Sequence, residues 1–456
     1  MKKTKMILLG ILLIWLIPVL FTGIVLPAFH KPTPRLKKVL PRDPSVQEYV
    51  GIVDDNREAM LRRLQIIRSA REELVLSTYY FADDDAGRDV MAALLEASRR
   101  GVHVRILVDG MCDFTSHVSK SESFQSLVYQ DNVEAKIYNP VNLLVPWDEN
   151  YRMHDKYLVA DQKVYILGGR NTRNKSIGDY PGDIDADRDA LVYSENGGGS
   201  VSELLSYFES VWDSPYCKNV KVRKSSPDEE ILLSRLEQLK ASYPEASEPA
   251  DFTSMTQKAD SIRLLTNPME AWNKAPQLWT ELLNLMGQGS DIEIQTPYII
   301  LGRQMYRDFS DLNKGRDIKI ITNAPESGAN PMGCAELLNR KKYLLKTGFE
   351  LCEYSADRSA HVKTMVIDDN ISIVGSFNFD MRSAYLDTET MLVIESREIN
   401  RSLRETNSKY LSSSRCSAEG REELVGPYFP EPKMGSIKLG MYAVLRALIV
   451  PVRHLL

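Results

Sequence analysis

Two octapeptides decide the reading: His154-Asp-Lys156-Tyr-Leu-Val-Ala-Asp161 and His361-Val-Lys363-Thr-Met-Val-Ile-Asp368. Both are His-x-Lys-x-x-x-x-Asp. In each, apolar β-prone residues fill the gap between Lys and Asp, which predicts a strand. His and Lys two positions apart then project from one face, and Asp, seven from His, projects from the other. Asp161-Gln-Lys163 and Asp368-Asp-Asn370 read as hairpin turns. A return strand follows each turn, Val164–Leu167 and Ile371–Val374, leading to Gly168-Gly169-Arg-Asn171 and Gly375-Ser376-Phe-Asn378. Each Asn stands 17 positions after its His, 171 − 154 and 378 − 361. A glycine there admits close backbone approach by a ligand. The hairpins therefore predict a cationic pocket edge of imidazole, ammonium and amide donors, suited to a phosphoryl group gaining charge in a transition state. One such match is worth little. With ordinary Lys and Asp frequencies a given His meets both spacings about once in 300; two matches among six histidines, each followed by Gly and Asn, are not coincidence.

The duplication extends outward. Strand Leu74–Tyr79, helix Gly87–Arg100, Gly101 and strand Val102–Val108 are repeated by strand Ile292–Thr296, helix Arg303–Leu312, Gly315 and strand Ile318–Thr322. An offset near 210 residues is too long for a solenoid repeat. It predicts an α/β fold of two similar halves, each with a mixed, largely parallel sheet and helices outside. A helix is expected near Asp54–Ser69. Residues 31–70 read as a juxtamembrane linker and helix, 71–245 as the first lobe, 246–260 as the connection, 261–410 as the second lobe and 411–456 as a tail.

The chain has 456 residues, 43% hydrophobic and 26% charged, with a net charge of −5, so global disorder and a general nucleic-acid binder are both disfavoured. Met6 to Phe29 is an uncharged run after Lys2, Lys3 and Lys5, long enough for a bilayer and longer than a signal-peptide core. Residues 1–30 therefore read as an uncleaved transmembrane anchor, with the basic start favouring a cytoplasmic N-terminus and an exported body. Five cysteines, without a CxxC pair, argue for buried thiols over a disulfide framework or zinc site. The Asp83-Asp-Asp85 run reads as a solvated loop ahead of a helix N-terminus. In Gly435–Leu456, apolar residues spaced among Lys438, Arg446, Arg453 and His454 form an amphipathic segment that either meets a membrane interface or docks on the body.

These motifs resemble the phospholipase D superfamily over roughly residues 70–410. Gly375-Ser-Phe-Asn-Phe-Asp380-Met-Arg382-Ser383, Gly168-Gly-Arg-Asn171 and the segment Val201–Pro215 resemble bacterial cardiolipin synthases. The resemblance implies a pseudo-twofold fold of two α-β-α lobes and phosphatidyl transfer between phospholipids at a membrane, as in cardiolipin synthesis from phosphatidylglycerol, through a phosphohistidine, without metal or other cofactor. The rival readings are phospholipid hydrolysis to phosphatidic acid, a membrane-tethered nuclease and a non-catalytic lipid-binding scaffold. It makes His154, Lys156, His361 and Lys363 the catalytic set. Asp161 and Asp368 complete the motifs, with a mainly structural part by parity. Gly169, Asn171, Ser376 and Asn378 fall to phosphate binding. It also implies an acidic residue behind each histidine. Asp189 and Glu389, each heading an apolar strand, fit that place, and Asp187 is the rival of Asp189. Asn171 is followed by Thr-Arg-Asn-Lys instead of the family's usual Ile-Gly-Asp, and the first copy has no counterpart of Ser376.

Overall fold

The computed structural model describes residues 46–456 except 143–144, 146–147, 226, 270–273 and 431–433, together with Phe21 and Val25. The expected anchor lies outside the described residues. Among those described, no helix is long and apolar enough to cross a membrane.

Two nine-stranded sheets carry the fold. Six strands recur in the same spatial order in both: Val133–Tyr138, His103–Asp109, Glu73–Thr78, Lys156–Ala160, Val164–Gly168 and Asp189–Tyr193 in the first; Glu350–Tyr354, Asp317–Asn323, Asp291–Gln295, Thr364–Ile367, Ile371–Gly375 and Thr390–Glu395 in the second. The largely parallel sheet is a misreading. In each sheet only two of the eight pairings are parallel, those made by the strand–helix–strand units. The motif hairpins and the edge strands pair antiparallel, because a short turn can only return the chain alongside itself.

The motif strands are apolar on both faces, and both faces are buried. Leu158 and Ala160 point into the core beneath the first lobe's helices, while Tyr157 and Val159 point into a core shared with the second lobe. Met365 and Ile367 likewise face their own lobe's core and Val366 faces the shared one. The period-two alternation of side chains thus welds the sheets face to face.

The helix Asn56–Ser69 starts at Asp55, whose carboxylate accepts the Glu58 N–H at 2.9 Å, and buries Met60, Ile66 and Ile67 in the first core. It belongs to the first lobe rather than to a linker, as does strand Tyr49–Val53, which pairs with Asp189–Tyr193. Residues 246–260 are not a free connection either: Phe252 enters the first core and Gln257–Lys258 closes the first sheet's edge. Asp84 caps the helix Asp85–Arg99 through the Gly87 N–H, so the acidic run starts a helix. The helix Ser436–Leu448 docks on the helix Pro331–Leu345 through Tyr442 and Ile449.

One cysteine expectation fails. Cys352 and Cys416, 64 residues apart, form a disulfide between the adjacent antiparallel strands Glu350–Tyr354 and Ser414–Ser417, where direct cross-strand pairing sets them face to face. Cys112, Cys217 and Cys334 are free, the first and last buried.

Candidate active site

Each histidine stands just before its strand, in a segment that crosses to the other lobe. Met153 bridges Thr388, with the His154 N–H donating to the Thr388 carbonyl at 3.2 Å and the Thr388 N–H to the Arg152 carbonyl at 2.9 Å. The mirror contact joins Ala360 to Ala186, with the His361 N–H donating to the Ala186 carbonyl at 2.7 Å. Each bridge delivers the next residue of one lobe to the histidine of the other. Glu389 Oε1 lies 2.9 Å from His154 Nδ1, and Asp187 Oδ2 lies 2.7 Å from His361 Nδ1. Both carboxylates are fully buried. A carboxylate on Nδ1 fixes the neutral tautomer with hydrogen there and leaves Nε2 with its lone pair.

The lysines sit beneath the rings. Lys156 Nζ donates to the His154 carbonyl and Lys363 Nζ to the His361 carbonyl, and Lys363 Nζ also lies 2.8 Å from His361 Nδ1. Burial pushes Lys156 down to about 7, against the pull of Glu389, and Lys363 down to about 8, against Asp187. Burial likewise pushes Glu389 up to about 7, opposed by Lys156. Burial acts on Asp187 too, but Lys363 and His361 together hold its carboxyl well below the usual range. His154 is held well below its ordinary value by burial, then by Lys156 and by Lys363 of the other lobe; His361 is pushed down to about 4 by burial and Lys363. Cations of both lobes bear on the His154 ring, which makes this a single electrostatic site.

The remaining expected residues divide. Asn171 and Asn378 are both buried: Asn171 Oδ1 accepts the Tyr80 N–H at 3.2 Å, and Asn378 Nδ2 donates to Tyr298 Oη at 3.1 Å. Asp189 does not orient a histidine. Its carboxylate pairs with Arg63 at 2.9 Å and Arg170 at 3.4 Å inside the first lobe. The rival Asp187 takes that place because the Ala186–Ala360 bridge carries it across the interface. Both orienting acids serve the opposite lobe's histidine, not the one that precedes them in their own repeat.

Gly169 and Ser376, expected at the phosphate, instead stand behind the two carboxylates, at equivalent positions fifteen after each histidine. A Cβ on Gly169 would fall 2.2 Å from Asp187 Oδ1, so the glycine makes room for that carboxylate. Ser376 Oγ donates to Glu389 Oε2 and accepts the Thr390 N–H at 3.0 Å.

Asp161 and Asp368 do not face the pocket. Asp161 accepts the N–H groups of Arg71, Glu72 and Glu73 at 2.6, 2.8 and 2.9 Å, and Asp368 those of Ser290 and Asp291 at 2.9 and 3.0 Å. Each sits in a left-handed turn, φ 49° and 47°, and ties the motif hairpin to the start of the neighbouring strand. The parity argument holds, and their place in the catalytic set does not.

Sequence reading missed the aromatic wall. The Tyr79 ring meets His154 edge-on, centroids 4.8 Å apart, and Lys156 Nζ lies 5.1 Å from its centroid. Tyr298 holds Asn378 from the second lobe. A repeated Thr-x-Tyr at the strand ends marks Tyr80 and Tyr298, whose carbonyls accept from the Thr78 and Thr296 hydroxyls at 3.2 and 3.0 Å, but Tyr79 is the middle residue of its copy and has Pro297 as its counterpart, so the repeat does not mark it. Asp155 was also passed over. Buried and pushed up to about 7, it accepts from Tyr207 at 2.8 Å and from Thr388 at 2.9 Å, locking the His154 crossing.

The sequence profile of the family described as "Cardiolipin synthase, PLD-like domain" matches residues 64–212 and 282–410. Cardiolipin synthase C of Escherichia coli (strain K12) is 28% identical over 396 residues, covering 76% of this chain and 81% of its own length. An uncharacterized protein of Helicobacter pylori (strain ATCC 700392 / 26695) is 26% identical over 400 residues, 75% of each chain. Among solved structures, phosphatidylserine synthase of Haemophilus influenzae superposes with a TM-score of 0.62 at 14% identity, over 91% of this chain and 98% of its own, a likeness of fold. The matched segments hold both histidine motifs and both crossing carboxylates and span more than half of the sequence: the chain belongs to the cardiolipin synthase, PLD-like domain family, and is an enzyme of the phospholipase D superfamily.

Proposed function

We propose that this enzyme joins two phosphatidylglycerol molecules into cardiolipin, releasing glycerol, through a phosphohistidine. The observation that carries this reading is the reciprocal pairing of His154 with Glu389 and His361 with Asp187, which leaves both Nε2 atoms for chemistry. His154 Nε2 attacks phosphorus while the P–O bond to glycerol breaks, and His361 Nε2 delivers its proton to the leaving oxygen. The hydroxyl of a second phosphatidylglycerol then gives its proton back to His361 and attacks phosphorus, breaking the P–N bond. The difference between the two acids supports these roles. Asp187, held low, stays ionised and supports an imidazolium on His361; Glu389, near 7, leaves His154 neutral and nucleophilic. Free of substrate, His361 is neutral at pH 7, and a bound phosphodiester anion adds the negative charge that favours its protonation.

Lys156, Lys363, Asn171 and Asn378 surround the phosphodiester oxygens. A phosphodiester carries one negative charge, which two ammonium groups and two amides match without a metal ion. The uncharged run 6–29 would hold the body at a bilayer, and the Cys352–Cys416 disulfide favours an oxidising, extracytoplasmic compartment for it.

The test is labelled phosphatidylglycerol in bilayers with the full chain. Cardiolipin and glycerol should form, and His154→Asn and His361→Asn should each abolish both. Phosphatidic acid without cardiolipin would make the enzyme a hydrolase, and full transfer by either variant would sink the mechanism.

A further inference from the structure

Within the C-terminal helix Ser436–Leu448 only Tyr442 is buried, with Ile449 just beyond its end. Tyr442 and Ile449 are buried against Cys334 and Ala335, and Tyr442 Oη donates to the Pro325 carbonyl at 2.9 Å. On the outer face Ile437, Met441, Val444 and Leu448 follow one another at helical spacing and stand 89, 37, 59 and 60% exposed. A single exposed leucine needs no explanation, but a continuous stripe does.

The charge along the helix itself has one sign. From Met434 onward the chain contains no Asp or Glu, while Lys438, Arg446 and Arg453 punctuate it. The supporting helix adds Arg340 and the exposed Lys342, with exposed Lys346 just beyond it, beside exposed Leu338 and Tyr343. Its one acid, Glu336, is buried and bonded to Arg453 Nε at 2.9 Å and paired with Arg340 at 3.7 Å, which leaves Lys438, Arg446, Lys342 and Lys346 as the cations of this face without a carboxylate partner among the ion pairs of the described residues.

This surface adjoins the candidate site through Tyr298. Gly333 of the supporting helix packs against Tyr298, where an added Cβ would fall 2.5 Å from the tyrosine Cβ, and Tyr298 holds Asn378. Beyond the C-terminal helix, Arg453 Nη2 donates to the Leu301 carbonyl at 2.8 Å. The Leu455 and Leu456 carbonyls accept from Arg382 Nη1 and N at 3.0 Å.

We infer that the helices Pro331–Leu345 and Ser436–Leu448 form a docking face for an anionic phospholipid bilayer, the apolar stripe entering the acyl boundary and the cations meeting lipid phosphates, so that the pocket rim rests on the headgroups. An interfacial helix binds by this combination of buried apolar area and attraction to anionic lipid. The inference deepens the proposed phospholipid reaction and rests on it only for its purpose, not for its geometry.

The full chain carrying Cys217→Ser would be labelled with a polarity-sensitive fluorophore at Val444→Cys or Leu448→Cys, with Val222→Cys as a control on the first lobe. It would be reconstituted in vesicles of phosphatidylglycerol and phosphatidylcholine in equal parts, or of phosphatidylcholine only. Expected are blue-shifted emission and shielding from aqueous iodide at positions 444 and 448 but not 222, in the anionic vesicles. Ile437→Asp with Val444→Asp and Leu448→Asp should raise KM for vesicular phosphatidylglycerol by about tenfold, leaving turnover of a short-chain soluble phosphatidylglycerol unchanged. Equal exposure of all three labels overturns the docking face even if lipid transfer proceeds. A shift of equal size in phosphatidylcholine overturns the anionic assignment. A shift that fades as protein is diluted in lipid marks a second copy as the occupant and overturns the bilayer. A shift without phosphatidyl transfer supports the docking face and defeats the reaction proposed above.

Discussion

Asp187 of the first lobe sits 2.7 Å from His361 of the second, 174 residues along the chain, while its near neighbour Asp189 is bound to Arg63 and Arg170 within its own lobe. Substitutions at these two acids should therefore part company. Asp187→Asn removes the charge that supports the His361 imidazolium and should lower kcat of the folded molecules by about 10²–10⁴-fold, together with a fall in melting temperature, since Lys363 and His361 hold that carboxyl low. Asp189→Asn leaves two buried guanidinium groups undercompensated and should cost about 3–5 kcal/mol of stability. Molecules that stay folded should turn over near the normal rate. Steady-state kinetics beside a thermal melt separates the outcomes, and loss of turnover in a stable Asp189→Asn would refute this division.

Gly169→Ala is a small change with a specific consequence. Its Cβ would meet Asp187 Oδ1 at 2.2 Å, so the carboxylate must shift. A displacement near 1 Å in a positioned group costs on the order of 10²-fold in rate. The loss should appear in kcat, not in KM for lipid, because the phosphate ligands are untouched.

The motif aspartates should behave as ties between loops. Asp161→Ala and Asp368→Ala each strand two or three backbone N–H groups and should cost about 1 kcal/mol apiece, with turnover per folded molecule retained. The N–H groups of Asp291 and Ser290 lower the Asp368 pKa. The stability it supplies is therefore present above the unfolded value near 4 and is lost as pH falls through the lower folded value. The melting-temperature gap between wild type and Asp368→Ala should shrink below pH 4. A gap that widens there would contradict the assignment.

The pH profile of kcat/KM should carry an acidic limb near 7. Glu389 is raised to about 7, so below that pH it is protonated and no longer supports charge on His154. In Glu389→Gln the rate falls and this limb disappears. An alkaline limb should follow from Lys156 and Lys363, at about 7 and 8 in the free enzyme, as their ammonium groups lose protons and phosphate affinity drops. Bound phosphate shifts that limb upward, so it should lie at higher pH in kcat than in kcat/KM. A wild-type profile flat from pH 5 to 7 would remove Glu389 from this role.

Much of this protein was written in local pattern. Two His-x-Lys-x-x-x-x-Asp motifs with apolar spacers, turn residues and a following Gly and Asn specify two hairpins. The strand–helix–strand units before them recur because alternation and helical periodicity are properties of consecutive residues. The side-chain direction of the lysines and the structural character of Asp161 and Asp368 followed from parity on a strand, and the asparagines stood out by their matching spacing of 17 from each histidine.

What one lobe presents to the other was decided only in three dimensions. Asp187 and Asp189 are indistinguishable as carboxylates two positions apart. The choice between them depends on which one a bridge to Ala360 carries across the interface and which one finds two buried arginines. The disulfide partners are 64 residues apart and meet only through the register of adjacent strands. Glycine and serine at positions 169 and 376 looked like phosphate contacts until the other lobe's histidines claimed the carboxylates in front of them. Backbone pattern is local, so the sequence determined the hairpins and the lobes. Charge pairing and close approach depend on distance through space, so the tertiary structure decided how the two half-sites complete each other.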